Sequence, residues 1–284
     1  MSTTAFCPGH ITGFFSLSED HGNLEKIGSK GAGFSVDRGV TAKVDIEGSG
    51  WTIIVDGNET SFLTVEKAVS NFAAGGTIEL KTDLPFSQGF GMSGACSLSS
   101  TVAVCHALDI PREKAVKAAH IAEVFCRTGL GDVIAQSKGG FERRIKPGVP
   151  PYGEIESEEI DREVVLAVVG LPLITPHVLS DPILSEWIKK IGNECIEEFS
   201  PKPSFENFLK ISHKFAFETK FAKKSLKDAL WETREFGEGS MSMIGNSVFM
   251  VGDTEKLKST LEDMVGPDRV FVVNIDNKGT RILE

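Results

Sequence analysis

Hydrophobic and polar residues alternate through most of the first 85 positions, and this period of two predicts β-strands. The predicted strands span residues 5–15, 33–46, 51–55 and 77–82, with a short helix at 65–72. Asp56-Gly57, a dipeptide typical of tight hairpin turns, separates two strand-like runs. We therefore expect a β-meander at the start of the chain.

The pattern changes near residue 95, where apolar positions begin to recur at helical spacing. Residues 95–108 and 111–126 are each predicted to form a helix. The segment 147–153 is rich in proline and glycine, which is typical of a linker, and an acidic stretch follows it. We place a domain boundary there, giving an N-terminal domain of residues 1–155 and a C-terminal domain of residues 156–284.

The second half mixes strand and helix patterns. Its predicted order is a strand at 164–170, a helix opened by Asp181 and Pro182, a helix opened by Ser204, a glycine loop at 237–245, a strand at 247–252, a helix at 254–265 and a strand at 269–275. This order predicts an α+β fold, with an antiparallel sheet backed by helices.

The amino-acid composition indicates a globular protein and argues against some kinds of binding partner. The chain has 284 residues, of which 40% are hydrophobic and 25% charged, the profile of an ordinary globular protein. Its net charge of -10 argues against nucleic acid or an anionic membrane as the main partner. The first ten residues lack the features of a signal peptide, and the longest apolar run, at 164–174, is too short to span a bilayer. We therefore expect a cytoplasmic protein.

A glycine-rich segment at residues 85–95, Pro-Phe-Ser-Gln-Gly-Phe-Gly-Met-Ser-Gly-Ala, lies between a predicted strand and a predicted helix. This arrangement can form a phosphate site, because backbone N–H groups and the helix dipole both favour an anion. The segment is not a Walker A loop, since no Gly-Lys-Ser/Thr closes it. A tight turn with small residues for helix packing is the other interpretation.

Acidic and basic residues cluster between positions 120 and 144. Glu123 can supply a carboxylate and Ser93 a hydroxyl to Mg²⁺, while Asp132 can accept the proton of a substrate hydroxyl. Either Arg143 or Arg144 could grip a substrate carboxylate, for which a guanidinium fork is well suited. The alternatives are a solvated helix face for Glu123, a helix cap for Asp132 and solvated charges for the arginines.

Three segments, in order along the chain, resemble the three signatures of the GHMP kinases, a family that includes galactokinase and the homoserine, mevalonate and phosphomevalonate kinases. They are residues 6–15 with Pro8-Gly9, residues 85–95 with Pro-x3-Gly-Phe-Gly-x-Ser-Gly-Ala, and residues 237–246. The chain departs from the family pattern in places. Met92 stands where the family has its first serine, Gly94 where it has its first alanine, and the third segment lacks a Gly-Gly-Gly run.

The resemblance implies a two-domain fold, with an N-terminal α/β domain like that of ribosomal protein S5 and a C-terminal ferredoxin-like α+β domain. ATP and Mg²⁺ would bind with the substrate in the cleft between them. The implied catalytic residues are Asp132, Glu123 and Ser93, of which Ser93 and Glu123 would hold the metal. The implied ATP phosphate-binding residues are Pro85, Gly89, Phe90, Gly91, Met92, Ser93, Gly94 and Ala95.

The departures, together with residues 10–15 (His-Ile-Thr-Gly-Phe-Phe) and 131–136 (Gly-Asp-Val-Ile-Ala-Gln), look most like the archaeal pantoate kinase branch of that family. This implies ATP-dependent phosphorylation of the 4-hydroxyl of pantoate in coenzyme A synthesis. A homodimer is the candidate assembly. For pantoate, the resemblance suggests Ser29, His120 and Arg144. His10 either lines the site or is a buried structural histidine.

Two other functions stay open. One is another small-molecule kinase of the same family, acting on homoserine, shikimate or mevalonate. The other is a catalytically silent nucleotide sensor, which the joint presence of Ser93, Glu123 and Asp132 argues against.

Overall fold

A computed structural model of the chain describes residues 2–18, 22–173 and 182–283. The strands are β1 Thr3–Ser18, β2 Gly28–Ile46, β3 Gly50–Val55, β4 Asn58–Glu59, β5 Gly75–Thr82, β6 Phe141–Lys146, β7 Glu154–Glu158, β8 Glu163–Val168, β9 Gly237–Met241, β10 Ser247–Gly252, β11 Val270–Asn274 and β12 Arg281–Leu283. The helices are α1 Leu63–Val69, α2 Met92–Ala107, α3 Arg112–Cys126, α4 Asp132–Lys138, α5 Pro182–Phe199, α6 Phe205–Glu218, α7 Lys224–Thr233 and α8 Thr254–Val265. Asp181, predicted to open a helix with Pro182, lies outside the described residues.

The first sheet is built around β2, which pairs along its length with β1 in antiparallel register. The first part of β2 also pairs with β6, and its second part pairs with β5. The order β12-β1-β2-β5-β3-β4 completes the main path, and β7 pairs with β6. This long central strand has β1 on one edge and β6 on the other, so the two strands flank it although more than a hundred residues separate them in sequence.

Helix α2 packs against β1, β2 and α3. Nearly all of its residues are buried, which fits its apolar composition on every side. Helix α4 lies against α2 and β1. The first residues of α2 and α4 both lie near His10, in the middle of β1.

The second sheet is antiparallel in the order β11-β8-β10-β9. Helix α8 packs on β8 and β11, and α6 packs on β9 and on β1 of the first sheet. Phenylalanine rings join the two halves: Phe34 of β2 meets both Phe208 of α6 and Phe249 of β10. One hydrophobic core thus runs through both sheets.

The predicted domain boundary near residue 155 falls inside β7. Both β7 and the last strand, β12, belong to the first sheet. The division into 1–155 and 156–284 stays a prediction, and the return of β12 to β1 shows that the end of the chain completes the first sheet.

Most predicted elements are confirmed, including the α+β character of the second half and its antiparallel sheet. The predicted β-meander is wrong, because β5 lies between β2 and β3 and pairs with β3 in parallel. The predicted glycine loop at 237–245 is wrong in its first part, because Gly237–Met241 forms β9. A Cβ at Gly239 would lie 2.0 Å from the Phe249 carbonyl oxygen, so this glycine permits close strand pairing. In the ranges 2–18, 22–173 and 182–283, the helices are too short or too polar to cross a lipid bilayer.

Candidate active site

The glycine segment forms a tight turn that leads into α2. Ser87, Gly89 and Gly91 have φ values of 60°, 80° and 64°, in the left-handed region. Such residues can turn successive N–H groups towards one side and form a concave anion site. Gly91 is the N-cap of α2 and no side chain caps this end, so the first-turn N–H groups are available to a ligand.

Two other segments hold this turn in place. The His10 N–H donates to the Phe90 carbonyl at 3.0 Å, which ties the turn to β1. The third family-like segment reaches it from the second sheet, and Ser247, the residue directly after that segment, donates its hydroxyl to the Gln88 carbonyl at 2.5 Å. A Cβ at Gly245 would lie 2.1 Å from the backbone of Gln88, so glycine is required at this contact. The three segments that resemble the family signatures therefore meet at one place.

An open cleft of about 190 Å³ lies beside the turn. Phe15 and Leu17 of β1 form an apolar wall, while Met243 and Ile244 line it from the second-sheet side. Among the described residues, no lysine or arginine side chain lines the cleft. A bound phosphate group would therefore be met by backbone N–H groups and by a cation brought with it.

Glu123 and Ser93 both line this cleft. Glu123 is buried on α3, and neither of its carboxylate oxygens has a hydrogen-bond partner in the described part of the chain. The Ser93 hydroxyl, in the first turn of α2, likewise has none. A Cβ at Gly129 would lie 2.7 Å from the Glu123 carboxylate, so glycine there leaves the carboxylate its space.

Burial raises the pKa of Glu123 well above its usual range, and the charge of Asp132 adds to this effect. The Val133 N–H is near enough to Glu123 to offset this shift in part, although it makes no hydrogen bond of normal geometry to the carboxylate. A buried, unpartnered carboxylate beside an unpartnered hydroxyl fits a hard cation such as Mg²⁺. Within the described ranges, no group of three or more His, Cys, Asp or Glu side chains could hold a metal unaided, so the remaining ligands would have to be water and substrate oxygens.

Asp132, the first residue of α4, also lines the cleft, and about a quarter of its side chain is exposed. Its Oδ1 accepts a hydrogen bond from His10 Nδ1 at 2.8 Å. On the other side of the ring, His10 Nε2 lies 3.0 Å from Oε1 of Glu142. The same Glu142 oxygen accepts from Arg144 Nη1, and Arg144 Nη2 reaches the Thr12 hydroxyl at 3.3 Å. A continuous network therefore runs from the cleft into the first sheet.

His10 is fully buried in this network. Burial alone would lower the pKa of His10, but the hydrogen bonds and charges of Asp132 and Glu142 outweigh it and the net shift is upward. A Cβ at Gly33 would lie 2.7 Å from His10 Nε2, so glycine at this β2 position gives the ring its space. His10 therefore lies behind the cleft, in contact with a residue that lines it.

The side chains of Arg144 and Ser29 both lie close to Gly131. A Cβ at Gly131 would lie 2.5 Å from the Ser29 hydroxyl and 2.9 Å from Arg144 Nε. Ser29 lines the cleft, whereas Arg144 is nearly buried next to it and its Nε has no partner among the described residues. The neighbouring Arg143 points the other way and pairs with Glu156 on β7.

His120, which the resemblance assigns to pantoate, does not line the cleft. It is fully buried on α3, and its Nε2 bonds the Ile27 carbonyl at 3.0 Å, just before β2. Burial lowers the pKa of His120 to about 4, although nearby carbonyl groups oppose this shift. Of the predicted phosphate-binding residues, Pro85 and Ala95 do not line the cleft, whereas the residues from Gly89 to Gly94 do.

Sequence reasoning missed Glu142, which connects His10 to Arg144. One signal was present: Glu142 and Arg144 are two positions apart in a strand, and side chains at that spacing share a face. Gln136 was also missed. Its side chain donates to the Gly91 carbonyl at 2.8 Å, and no pattern in the sequence indicates this contact.

The sequence of the chain is similar to those of known proteins. The family model for the N-terminal domain of GHMP kinases matches residues 61–140. A pantoate kinase of Methanocaldococcus jannaschii is 35% identical over 271 residues, covering 92% of this chain and 97% of that protein. A pantoate kinase of Thermococcus kodakarensis is 31% identical, covering 93% of each chain.

Among solved structures, a phosphotransferase related to the CoA biosynthesis pathway superposes with a TM-score of 0.87 at 28% identity, covering 100% of this chain and 99% of that one. A homoserine kinase from Cytophaga hutchinsonii, at 15% identity and a TM-score of 0.69, shares the fold over 99% of this chain and 97% of its own. The chain therefore belongs to the GHMP kinase family, in which it is related over nearly its whole length to archaeal pantoate kinases.

Proposed function

We propose that this protein is a small-molecule kinase that transfers the γ-phosphoryl group of ATP to the 4-hydroxyl of pantoate, giving 4-phosphopantoate and ADP for coenzyme A synthesis. The observation that carries the proposal is the position of Asp132. This carboxylate is held from behind by His10 and faces the same cleft as the glycine turn and the unpartnered Glu123. The two related pantoate kinases support the choice of acceptor.

In the proposed reaction, Asp132 accepts the proton of the acceptor hydroxyl. The hydroxyl oxygen forms a bond to the γ-phosphorus as the bond to the β–γ bridging oxygen breaks, and ADP leaves. N–H groups of the turn and of the α2 N-terminus, from Gly89 to Gly94, bind the phosphate oxygens. Positioning and electrostatic stabilisation account for most of the catalysis in this class of reaction.

Ser93 and Glu123 are the residues that would hold Mg²⁺. Their unpartnered oxygens at the cleft wall support this assignment. A bound Mg²⁺ neutralises phosphate charge during transfer. In this proposal the ionised form of Glu123 exists when the cation is present, because a neighbouring positive charge favours the carboxylate.

For pantoate, the proposal assigns the carboxylate to Arg144 and a hydroxyl to Ser29. The free Nε of Arg144 and the position of Ser29 on the cleft wall support this arrangement. Phe15 and Leu17 supply an apolar surface for the gem-dimethyl group. His120 acts as a positioning residue, since it holds the Ile27 carbonyl two residues before Ser29. The cytoplasmic location and the homodimer stay predictions from the sequence.

An ADP-release screen over pantoate, pantothenate, homoserine, shikimate, mevalonate and galactose tests the function. We expect pantoate to give by far the highest kcat/KM, and ³¹P NMR of the product to place the phosphate on the 4-hydroxyl. A different preferred acceptor would make the protein another kinase of the family. ATP binding with no transfer to any acceptor would indicate the nucleotide sensor.

A further inference from the structure

Glu142 is a fully buried carboxylate outside the cleft lining. Its Oε1 receives two donors, His10 Nε2 and Arg144 Nη1. Its Oε2 has no partner among the described residues. Glu142 therefore touches both the residue that holds Asp132 and the residue assigned to the substrate carboxylate, without reaching either reactant.

The hydrogen bonds of His10 restrict its protonation. A neutral imidazole has one N–H donor, whereas here each ring nitrogen faces a carboxylate oxygen, at 2.8 Å in Asp132 and at 3.0 Å in Glu142. The imidazolium satisfies both acceptors. It also balances the charge, because Asp132 and Glu142 carry two negative charges and His10 with Arg144 two positive ones. A neutral ring would leave a buried excess of one negative charge.

We propose that Glu142 is a positioning residue that joins the two acceptor-side groups of the site: it keeps His10 as the imidazolium that orients Asp132, and it fixes the guanidinium of Arg144. This inference rests on the proposed kinase function. Asp132 bonds His10 through Oδ1, and its Oδ2 has no hydrogen-bond partner among the described residues. That oxygen is left to receive the proton of the acceptor hydroxyl.

The surroundings of His10 contain few other charges. Asp132 of α4 and Glu142 and Arg144 of β6 face this cluster. From β2 and the α2 N-terminus, the neighbours are Gly33 and Gly91, which carry no side chain. The protonation of His10 is therefore set by this one cluster, and removing the Glu142 charge removes one of the two carboxylates that favour the imidazolium.

The first test is steady-state kinetics of Glu142→Gln, with Glu156→Gln as the matched control on the exposed Arg143 pair. We expect kcat to fall by about 10- to 100-fold, the range for residues that orient a functional side chain. We also expect KM for pantoate to rise while KM for ATP stays unchanged. Because the pKa of His10 is raised, the imidazolium of the wild-type protein persists at pH values above the ordinary pKa of histidine. The variant should therefore lose activity on the alkaline side at a lower pH than wild type. Equal losses for ATP and pantoate with an unshifted pH profile would overturn the proposal in favour of a purely structural role.

The second test reads His10 directly and needs no activity. ¹⁵N-histidine NMR of the wild-type protein at pH 7, with His10→Gln to identify the signal, should show both ring nitrogens protonated. In Glu142→Gln, the ring should lose a proton at a lower pH. A neutral His10 ring in wild type at pH 7 would overturn the proposal, even if Glu142→Gln does not fold. If the wild-type protein shows the imidazolium but does not phosphorylate pantoate, the proposed acceptor fails while the His10–Glu142 pair stands.

Discussion

Under the proposed function, the cleft has two ends that are built differently. The end assigned to phosphate, here called the phosphate end, is made mainly of backbone, and its turn and helix N-terminus come from consecutive residues between Ser87 and Gly94. The end assigned to the acceptor, here called the acceptor end, is made of side chains from β1, β2, α4 and β6. His10 meets Asp132 across 122 positions of sequence and Glu142 across 132. Local sequence therefore specifies the first end, whereas the pairing of β1, β2 and β6 assembles the second.

This difference implies different sensitivities. At the phosphate end, most side chains contribute little beyond leaving space, so a substitution acts through the backbone. At the acceptor end, the proposal gives each side chain a chemical role and several side chains share partners, so single substitutions should have large and non-additive effects. Variants at the two ends can be compared by their separate effects on the kinetic constants for ATP and for pantoate.

The largest effect is expected at the acceptor end, for Asp132→Asn. Asparagine keeps the shape and can still accept from His10, but it cannot take a proton. We expect kcat to fall by roughly 10² to 10⁴, the range for removing a positioned base, with normal folding by circular dichroism. Asp228→Asn, in an exposed ion pair on α7, is the matched control. A kcat within about threefold of wild type would exclude Asp132 as the base.

The second-largest effect is expected for Arg144→Ala, which should affect the kinetics for pantoate and for ATP differently. Arg144→Ala should reduce kcat/KM for pantoate by on the order of 10² or more, because a buried ligand carboxylate would lose its partner. KM for ATP should change only a few-fold. Arg144→Lys should rescue in part, since an ammonium keeps a charge near Glu142 but lacks the fork geometry. Arg143→Ala, one residue away and paired with Glu156 at the surface, should change every constant by less than about twofold.

Equal damage by Arg144→Ala to ATP and pantoate kinetics would contradict the assignment. Arg144 would then serve the phosphates or the fold, and the comparison between the two ends would fail at this residue. Because the alanine variant also leaves Glu142 unpaired, its melting temperature must be measured beside that of the lysine variant.

Glu123 lies between the two ends and is expected to show an effect of another kind. Glu123→Gln should lower kcat by about 10-fold or more and should also raise the Mg²⁺ concentration needed for half-maximal activity, since an amide is a poorer ligand for a hard cation. Glu113→Gln, an exposed residue on the same helix, is the control. An unchanged Mg²⁺ dependence would rule out Glu123 as a metal ligand.

The contrast between the ends also explains what the sequence could predict. The glycine turn, helices α2 and α3 and the family-like segments are contiguous, so composition and periodicity indicated them before the structure. The side-chain chemistry of Ser93, Glu123 and Asp132 predicts that they are site residues. The structure brings all three to one cleft. Whether they perform the predicted roles is for the variants above to decide.

The parts that sequence reasoning missed depend on contacts between distant segments. In the sequence, Glu142 is only the neighbour of Arg143 and Arg144. Only the pairing of β6 with β2, opposite β1, gives it His10 as a partner. The predicted loop at 237–241 is a strand, β9, because Gly237 and Gly239, which usually mark turns, here allow close approach to β10. A one-dimensional pattern does not show which segment will approach a glycine.

The smallest effect is expected at the phosphate end, for Gly94→Ala. Alanine is the usual residue of the family signature here, yet a Cβ at Gly94 would lie 2.9 Å from Gln136 Oε1 and 3.1 Å from Glu123 Oε1. Gln136 also holds the Gly91 carbonyl, so displacing it should disturb the turn and raise KM for ATP by a few-fold while leaving KM for pantoate nearly unchanged.

In the Gly94→Ala/Gln136→Ala double variant, the nearest obstructing atom is gone, and KM for ATP should be closer to wild type than additivity predicts. If Gly94→Ala instead impaired pantoate more than ATP, the displaced group would be Glu123 acting on the acceptor end. The two ends of the cleft would then be mechanically coupled through that carboxylate.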